Sequence, residues 1–177
     1  MIRRAAPVAD FDVAALYAAL DAARQARGLS WPQLAGEISE VFSGSLATPI
    51  SPSTLTGMRN RAVVEGDGVL QMLLWLKRTP ESFVPGYQES RAVSLRLPSA
   101  GRDRILRFDA VAMHAALDAR RVERGLTWAR VAAEIGGFNA AGLTRLAKGG
   151  RVGFPSVMRI ARWLDRPAAS LTYASPR

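Results

Sequence analysis

The 177-residue chain contains no cysteine and only one histidine. Without cysteine there is neither a disulfide framework nor a thiolate metal site, which fits a reducing interior. The single histidine, His114, has neither a cysteine nor a second histidine to share a metal with and reads as structural. G-x-S-x-G, Walker and H-E-x-x-H motifs are missing too, so the expectation is a non-enzyme with no cofactor and no metal. No run of 18 apolar residues occurs, and no apolar stretch long enough for a signal peptide's h-region follows Arg3 and Arg4, so neither membrane spanning nor secretion is expected. Aromatics make up 7% of the residues, which suits small Ala/Leu/Val cores, in one ordinary domain or two small ones. Acidic residues are the scarcer sign, 15 against 24 Lys+Arg. A net charge of +9 favours a polyanionic partner, nucleic acid before membrane.

What the chain does contain is itself, twice. FDVAALYAALDAARQARGLSWPQLAGEI (11–38) aligns with FDAVAMHAALDARRVERGLTWARVAAEI (108–135) at an offset of 97, with 16 identities in 28 positions. Further on the offset is 88: STLTGMRN (53–60) meets AGLTRLAK (141–148), and MLLWLKRTPESF (72–83) meets IARWLDRPAASL (160–171). Trp31 pairs with Trp128 and Trp75 with Trp163; the nine-residue difference is an insertion in the first copy, within 39–50. Two copies of one helical module follow. They are expected at 8–84 and 108–173, with 85–107 as linker.

Each module reads as five helices. In the first, Phe11 to Arg27 is amphipathic with Val13, Leu16 and Leu20 inward, closed by Gly28. Ser30 caps a second helix, Ser51 caps a third with Pro52 at its first position, a fourth spans about Gly68 to Lys77, and Thr79-Pro80 opens a last short one. The second module repeats this with Asp109 to Arg124, Thr127 to Ile135, Asn139 to Lys148, Pro155 to Leu164 and Pro167 to Leu171. Here Val131 and Ile135 give one helix its buried face, Gly136 and Gly137 permit a sharp turn, and Leu143 and Leu146 turn inward on the next. Two short helices at a tight turn, the second with a small and basic outer face, make a helix-turn-helix.

In the linker, Val93, Leu95 and Leu97 alternate with polar residues, and Arg104 to Phe108 could form a second strand across PSAGRD. A small hairpin and an irregular linker are the two readings. Extended, the linker reaches about 75 Å; as a coil it averages roughly 26 Å. Either would let the modules sit one duplex turn apart, about 34–36 Å.

GLSWPQLAGEI with ISPSTLTGM and LLWLKRTPESF, and GLTWARVAAEI with AGLTRLAKG and IARWLDRPAASL, resemble the Cro/C1-type (XRE) helix-turn-helix of repressors. The resemblance spans nearly all of both modules but not the linker. It implies an all-α fold, two tandem five-helix domains whose third helix enters the major groove of DNA. Base-edge readers would be Asn139, Ala140, Ala141, Thr144 and Arg145 in the second module, and Ser51, Pro52, Ser53, Thr54 and Thr56 in the first. Phosphate contacts would come from the start of the second helix, at Thr127 and Arg130, and from the loop after the third. Two departures stand out: the insertion falls in the first module's turn, and Gly57 stands where the second has Arg145.

Charge separates the copies. Residues 1–90 hold 8 Lys+Arg and 9 Asp+Glu; residues 91–177 hold 16 and 6. Phosphate neutralisation supplies most non-specific DNA affinity, so the second module is the expected anchor. Arg145 and Lys148 lie one turn apart, with Arg151 in the next loop; an Arg there can fork to guanine O6 and N7. The bland alternative is a solvated helix face. The first module's corresponding face offers Arg59, Asn60 and Arg61, followed by Glu65 and Asp67. Arg91, Arg96, Arg102, Arg104 and Arg107 track a backbone, enter a minor groove or are simply solvated. Trp31 and Trp128 pack on the first or fifth helix, or donate to phosphate; Trp75 and Trp163 belong to the core.

The expectation is therefore a cytoplasmic, nucleoid-associated regulator that binds double-stranded DNA sequence-specifically, as a repressor reading an imperfect palindrome. The alternative is an interaction adaptor or antitoxin-like protein whose first module dimerises or holds a protein partner.

Overall fold

The computed structural model describes residues 10–40, 49–86, 96–99 and 104–176. They form a mostly helical molecule. The first half holds α1 (Val13–Ala26), α2 (Trp31–Glu40), α3 (Pro52–Gly57), strand β1 (Val64–Glu65) and α4 (Gly66–Leu76). The second begins with strand β2 (Arg104–Phe108) and continues with α5 (Ala110–Glu123), α6 (Trp128–Ile135), α7 (Ala140–Arg145), β3 (Gly153–Phe154), α8 (Ser156–Leu164) and β4 (Thr172–Pro176).

Local chemistry fixes the helix ends. Asp12 and Asp109 each accept a backbone N–H in the first turn of α1 and α5, both at 2.8 Å. Ser30 and Gln33 exchange side-chain to backbone bonds at the start of α2, a capping box. Gly28 and Gly125 close α1 and α5 at φ +65° and +61°, a conformation that costs other residues a Cβ clash. The fifth helices expected from Thr79 and Pro167 are single 3-10 turns, Pro80–Phe83 and Ala168–Leu171, too short for a run of α-type bonds.

The duplication extends to individual side-chain contacts. Arg27 forks onto Glu37 and Arg124 onto Glu134. The same glutamates accept the indole N–H of Trp75 and Trp163, each at 2.9 Å, which ties α4 to α2 and α8 to α6. Tyr17 stacks on Trp31 and His114 on Trp128, with ring centroids 5.5 and 5.0 Å apart. Arg24 and Arg121 also lie over those indoles, 4.7 and 5.1 Å from the ring centroids. Trp31 and Trp128 therefore pack on the first helix of their module. Trp75 and Trp163 are only half-buried, because their N–H groups must reach a carboxylate at the surface.

The halves are not beads on a string. β1 and β3 pair antiparallel, Val64 with Phe154 and Glu65 with Gly153. Glu65 and Gly153 are equivalent positions, so the ladder places a pseudo-two-fold axis between the copies. Reciprocal contacts follow: Phe154 packs on Phe11 at 4.5 Å, and its counterpart Gly66 faces Phe108, the counterpart of Phe11. Each module's lead-in also clasps the other's fourth helix. Arg159 on α8 forks onto Asp10, while Asp67 on α4 takes Arg107 at 3.0 Å and the Phe108 N–H at 3.1 Å. Gln71, the counterpart of Arg159, donates to the Leu106 carbonyl at 2.9 Å while nearly fully buried. One continuous core results, from Leu16 and Leu34 through Phe83, Phe11, Phe154 and Phe108 to Leu117 and Ile160.

Arg104–Phe108 is the strand that the sequence pattern suggested, but its partner is β4, from Arg104↔Pro176 to Phe108↔Thr172. This takes the place of the hairpin expected within the linker. Val93 and Leu95 lie outside the described residues, and Leu97 packs half-buried against the core. The physical reason is burial: Ile105, Leu106 and Phe108 are all buried, Leu106 completely, by seating the strand on α4. Because the modules abut, the linker's length does not set their separation. Among the described residues no helix is long and apolar enough to cross a membrane.

Candidate nucleic-acid interface

Helix α3 begins at Ser51, whose Oγ accepts the Thr54 N–H at 3.1 Å, and α7 at Asn139, whose Oδ1 accepts the Gly142 N–H at 2.7 Å. Leu55 and Met58 bury the inner face of the first; Leu143 and Leu146 bury that of the second. With the inner faces committed to the core, the opposite faces have only solvent. Ser51, Pro52, Ser53 and Thr56 are exposed on α3 and Thr54 is half-buried. On and around α7, Asn139, Ala141, Thr144, Arg145 and Lys148 are exposed and Ala140 is half-buried. Thr127 and Arg130, at the first turn of α6, are exposed as well, and so are Arg59, Asn60, Arg61 and Arg151.

The hydroxyls on α3 are partly spoken for. Ser51 Oγ lies 2.8 Å from Ser53 Oγ and 2.9 Å from Thr54 Oγ1, and Thr56 donates back to the Pro52 carbonyl at 3.2 Å. Thr144, the counterpart of Thr56, donates to the Ala141 carbonyl at 3.2 Å. Both threonines thus keep lone pairs outward as acceptors. The nine-residue insertion does not pry α2 from α3. Ile50 N–H bonds to Ser39 Oγ at 3.1 Å, bridging the base of the inserted loop, of which 41–48 lies outside the described residues.

Cations differ in availability. Among the described residues, Arg130, Arg145 and Lys148 have no ion pair. Arg151 pairs with Glu65 across the module seam, Nε to Oε1 at 3.1 Å, with both side chains largely exposed. Such a pair contributes about 0–1 kcal/mol, so a phosphate could replace the carboxylate at little cost. Arg107 is engaged by Asp67 and Arg104 approaches the Ala174 carbonyl. Arg96 is exposed, and Arg91 and Arg102 lie outside the described residues. Elsewhere Arg24 holds the Asp21 carboxyl below its usual range through a side-chain hydrogen bond, and the Trp163 and Arg124 donors do the same for Glu134. Glu134 thereby ties α8 and the end of α5 to α6, while Asp21 holds its partners within α1.

The seam fixes how the two faces relate. From Asn60 to Glu65, and from Lys148 to Gly153, the chain runs five residues. Two such arms plus one strand spacing hold the ends of the two exposed helical segments within about 40 Å of each other. Sequence reasoning found both faces and missed the seam that orients them. The signal was present in the alignment, where Gly66 stands opposite Phe154 and Val63 opposite Arg151. Those size and charge mismatches are complementary only if the copies touch.

Among the described residues there is no group of three or more His, Asp or Glu placed to hold a metal ion. No family model, curated protein or solved structure matches the chain.

Proposed function

We propose that the chain is a sequence-specific double-stranded DNA-binding regulator whose α2–α3 and α6–α7 pairs act as Cro/C1-like helix-turn-helix units. One observation carries this reading. Two counterpart short helices, each buried on one side only, present small, hydroxyl and cationic groups to solvent around a common pseudo-two-fold axis. A duplex is itself two-fold symmetric, so a pseudo-symmetric protein addresses half-sites in inverted orientation. Because Arg145 faces Gly57 and Lys148 faces Asn60 in the alignment, the preferred operator is an imperfect palindrome.

In Cro/C1-like repressors two separate chains usually supply the two readers; here one chain supplies both. The face by which the first module could pair with another copy of itself is occupied by the second module. That argues against the adaptor alternative as far as this face is concerned. Titrating the full chain with mixed-sequence duplex between 50 and 200 mM salt tests the proposal. About six phosphate contacts would cost roughly 10³-fold in affinity over that range, and a flat response would remove the electrostatic basis of the reading.

A further inference from the structure

Where the second module has Arg145 and Gly149, the first has Gly57 and Arg61. The two residue types have changed places, four positions apart. Backbone geometry says why the exchange is permitted. Gly149 sits at φ +74°, which bars an arginine, whereas residue 61 is extended at φ −112° and accepts one. Conversely, Gly57 in the last turn of α3 leaves bare backbone that a helix would rather not have. That bare spot is covered: Arg61 Nε, Cζ and Nη2 lie 3.6, 3.7 and 3.7 Å from where a Cβ at residue 57 would be. Arg61 is exposed and has no ion pair among the described residues.

We propose that Arg61 is the base-reading arginine of the first module. Its guanidinium arrives from the chain after α3 and lies against the helix position from which Arg145 extends in the second module. Glycine at 57 is the companion change, since two arginines would crowd one another there. Each module then offers one planar five-donor fork at the same end of its exposed helix, anchored at a different backbone position. The target group is a guanine edge, O6 and N7 in the major groove. The inference rests on the DNA-binding reading above.

The test is selection from random duplexes by the full chain, comparing wild type, Arg61→Ala and the exchange Gly57→Arg with Arg61→Gly. Wild type should enrich two unequal half-sites. Arg61→Ala should lose roughly 10- to 100-fold discrimination at one G·C pair of one half-site, leaving the other half-site intact. The exchange variant should shift that half-site's preference toward the one read by Arg145. Thermal unfolding excludes misfolding: Arg61→Ala, at an exposed position, should match wild type, and the exchange variant, which removes a glycine from α3, should be no less stable. Unchanged preferences in both variants would overturn the role of Arg61 while leaving DNA reading intact. If wild type enriches nothing, the functional reading fails and this inference with it.

Discussion

Glu65 and Gly153 occupy the same position in the two copies of the module and face one another across the β1–β3 ladder. A residue paired with its own counterpart marks a two-fold axis, and the contacts around it are complementary rather than identical. Phe108 and the Val152 carbonyl close on Gly66, Phe154 packs on Phe11, Arg151 meets Glu65, and Val63, the counterpart of Arg151, lies on Gly153. A second-module pair would place a phenylalanine where Gly66 has no room even for a Cβ, and a first-module pair would lose the contact that Phe154 makes with Phe11. The seam thus favours one copy of each kind. Its stabilisation comes mainly from the phenylalanines, whose ring contacts contribute about 0.5–1.5 kcal/mol each beyond burial, against at most about 1 kcal/mol for the exposed ion pair.

Gly66 is the seam's tightest point. A Cβ there would run into the Val152 carbonyl oxygen and come within 2.9 Å of the Phe108 ring. Gly66→Ala should therefore destabilise the protein by about 1–3 kcal/mol, as overpacking does. Gly68, with open space around it, is the matched control: Gly68→Ala should cost nothing or stabilise slightly. Urea unfolding of both variants measures the difference, and equal midpoints would show that the seam is loose.

How much of this was legible beforehand follows from distance along the chain. The caps at Ser51, Thr127 and Asn139, the glycine stops at Gly28 and Gly125, and the buried Leu143 and Leu146 are set by neighbours within four residues, so the sequence displays them. The exposed faces of α3 and α7 followed from the same periodicity. β1 and β3 are two residues each, too short to register as alternation, and their partners lie almost ninety residues apart. Arg104–Phe108 was recognisable as a strand, but its mate, TYASP at 172–176, carries a proline and small residues that do not announce one. Arg61 was singled out for its charge, and its place against Gly57 needed coordinates.

Asp10 and Arg159 join the lead-in of one module to α8 of the other. The hydrogen bonds from Arg159 hold the Asp10 carboxyl below its usual range, against the opposing effect of partial burial, with Arg162 adding a smaller pull. A carboxylate depressed in the folded state stabilises fully above its unfolded value and loses that contribution as pH falls through the folded one. Asp10→Asn should thus lower stability at pH 7 by about 0.5–1 kcal/mol, a modest figure because the pair is partly solvated. The gap to wild type should narrow as the pH drops below about 4. Chemical unfolding across pH 3 to 7 checks this; a constant gap would assign the loss to packing.

Arg145 and Lys148 share an exposed face yet should behave differently on DNA. A guanidinium that forks to one base carries sequence information, whereas an ammonium near phosphate adds affinity to any duplex. Arg145→Ala should relax preference at one base pair by about 1–3 kcal/mol, and Lys148→Ala should weaken all sequences alike and reduce the salt slope by about one. Competition titrations with single-base operator variants separate the two outcomes; wild-type behaviour in both mutants would move the reading surface away from α7.

The central claim is that two exposed helices, locked by the β1–β3 seam, engage one duplex at a fixed separation. The most direct measurement is the affinity of the full chain for its selected operator and for the same operator with five base pairs inserted between the half-sites. A locked pair predicts a loss of about 10²-fold or more, because half a helical turn carries the second half-site to the far side of the duplex and abolishes the bivalent gain. Equal affinity for both spacings would contradict the account.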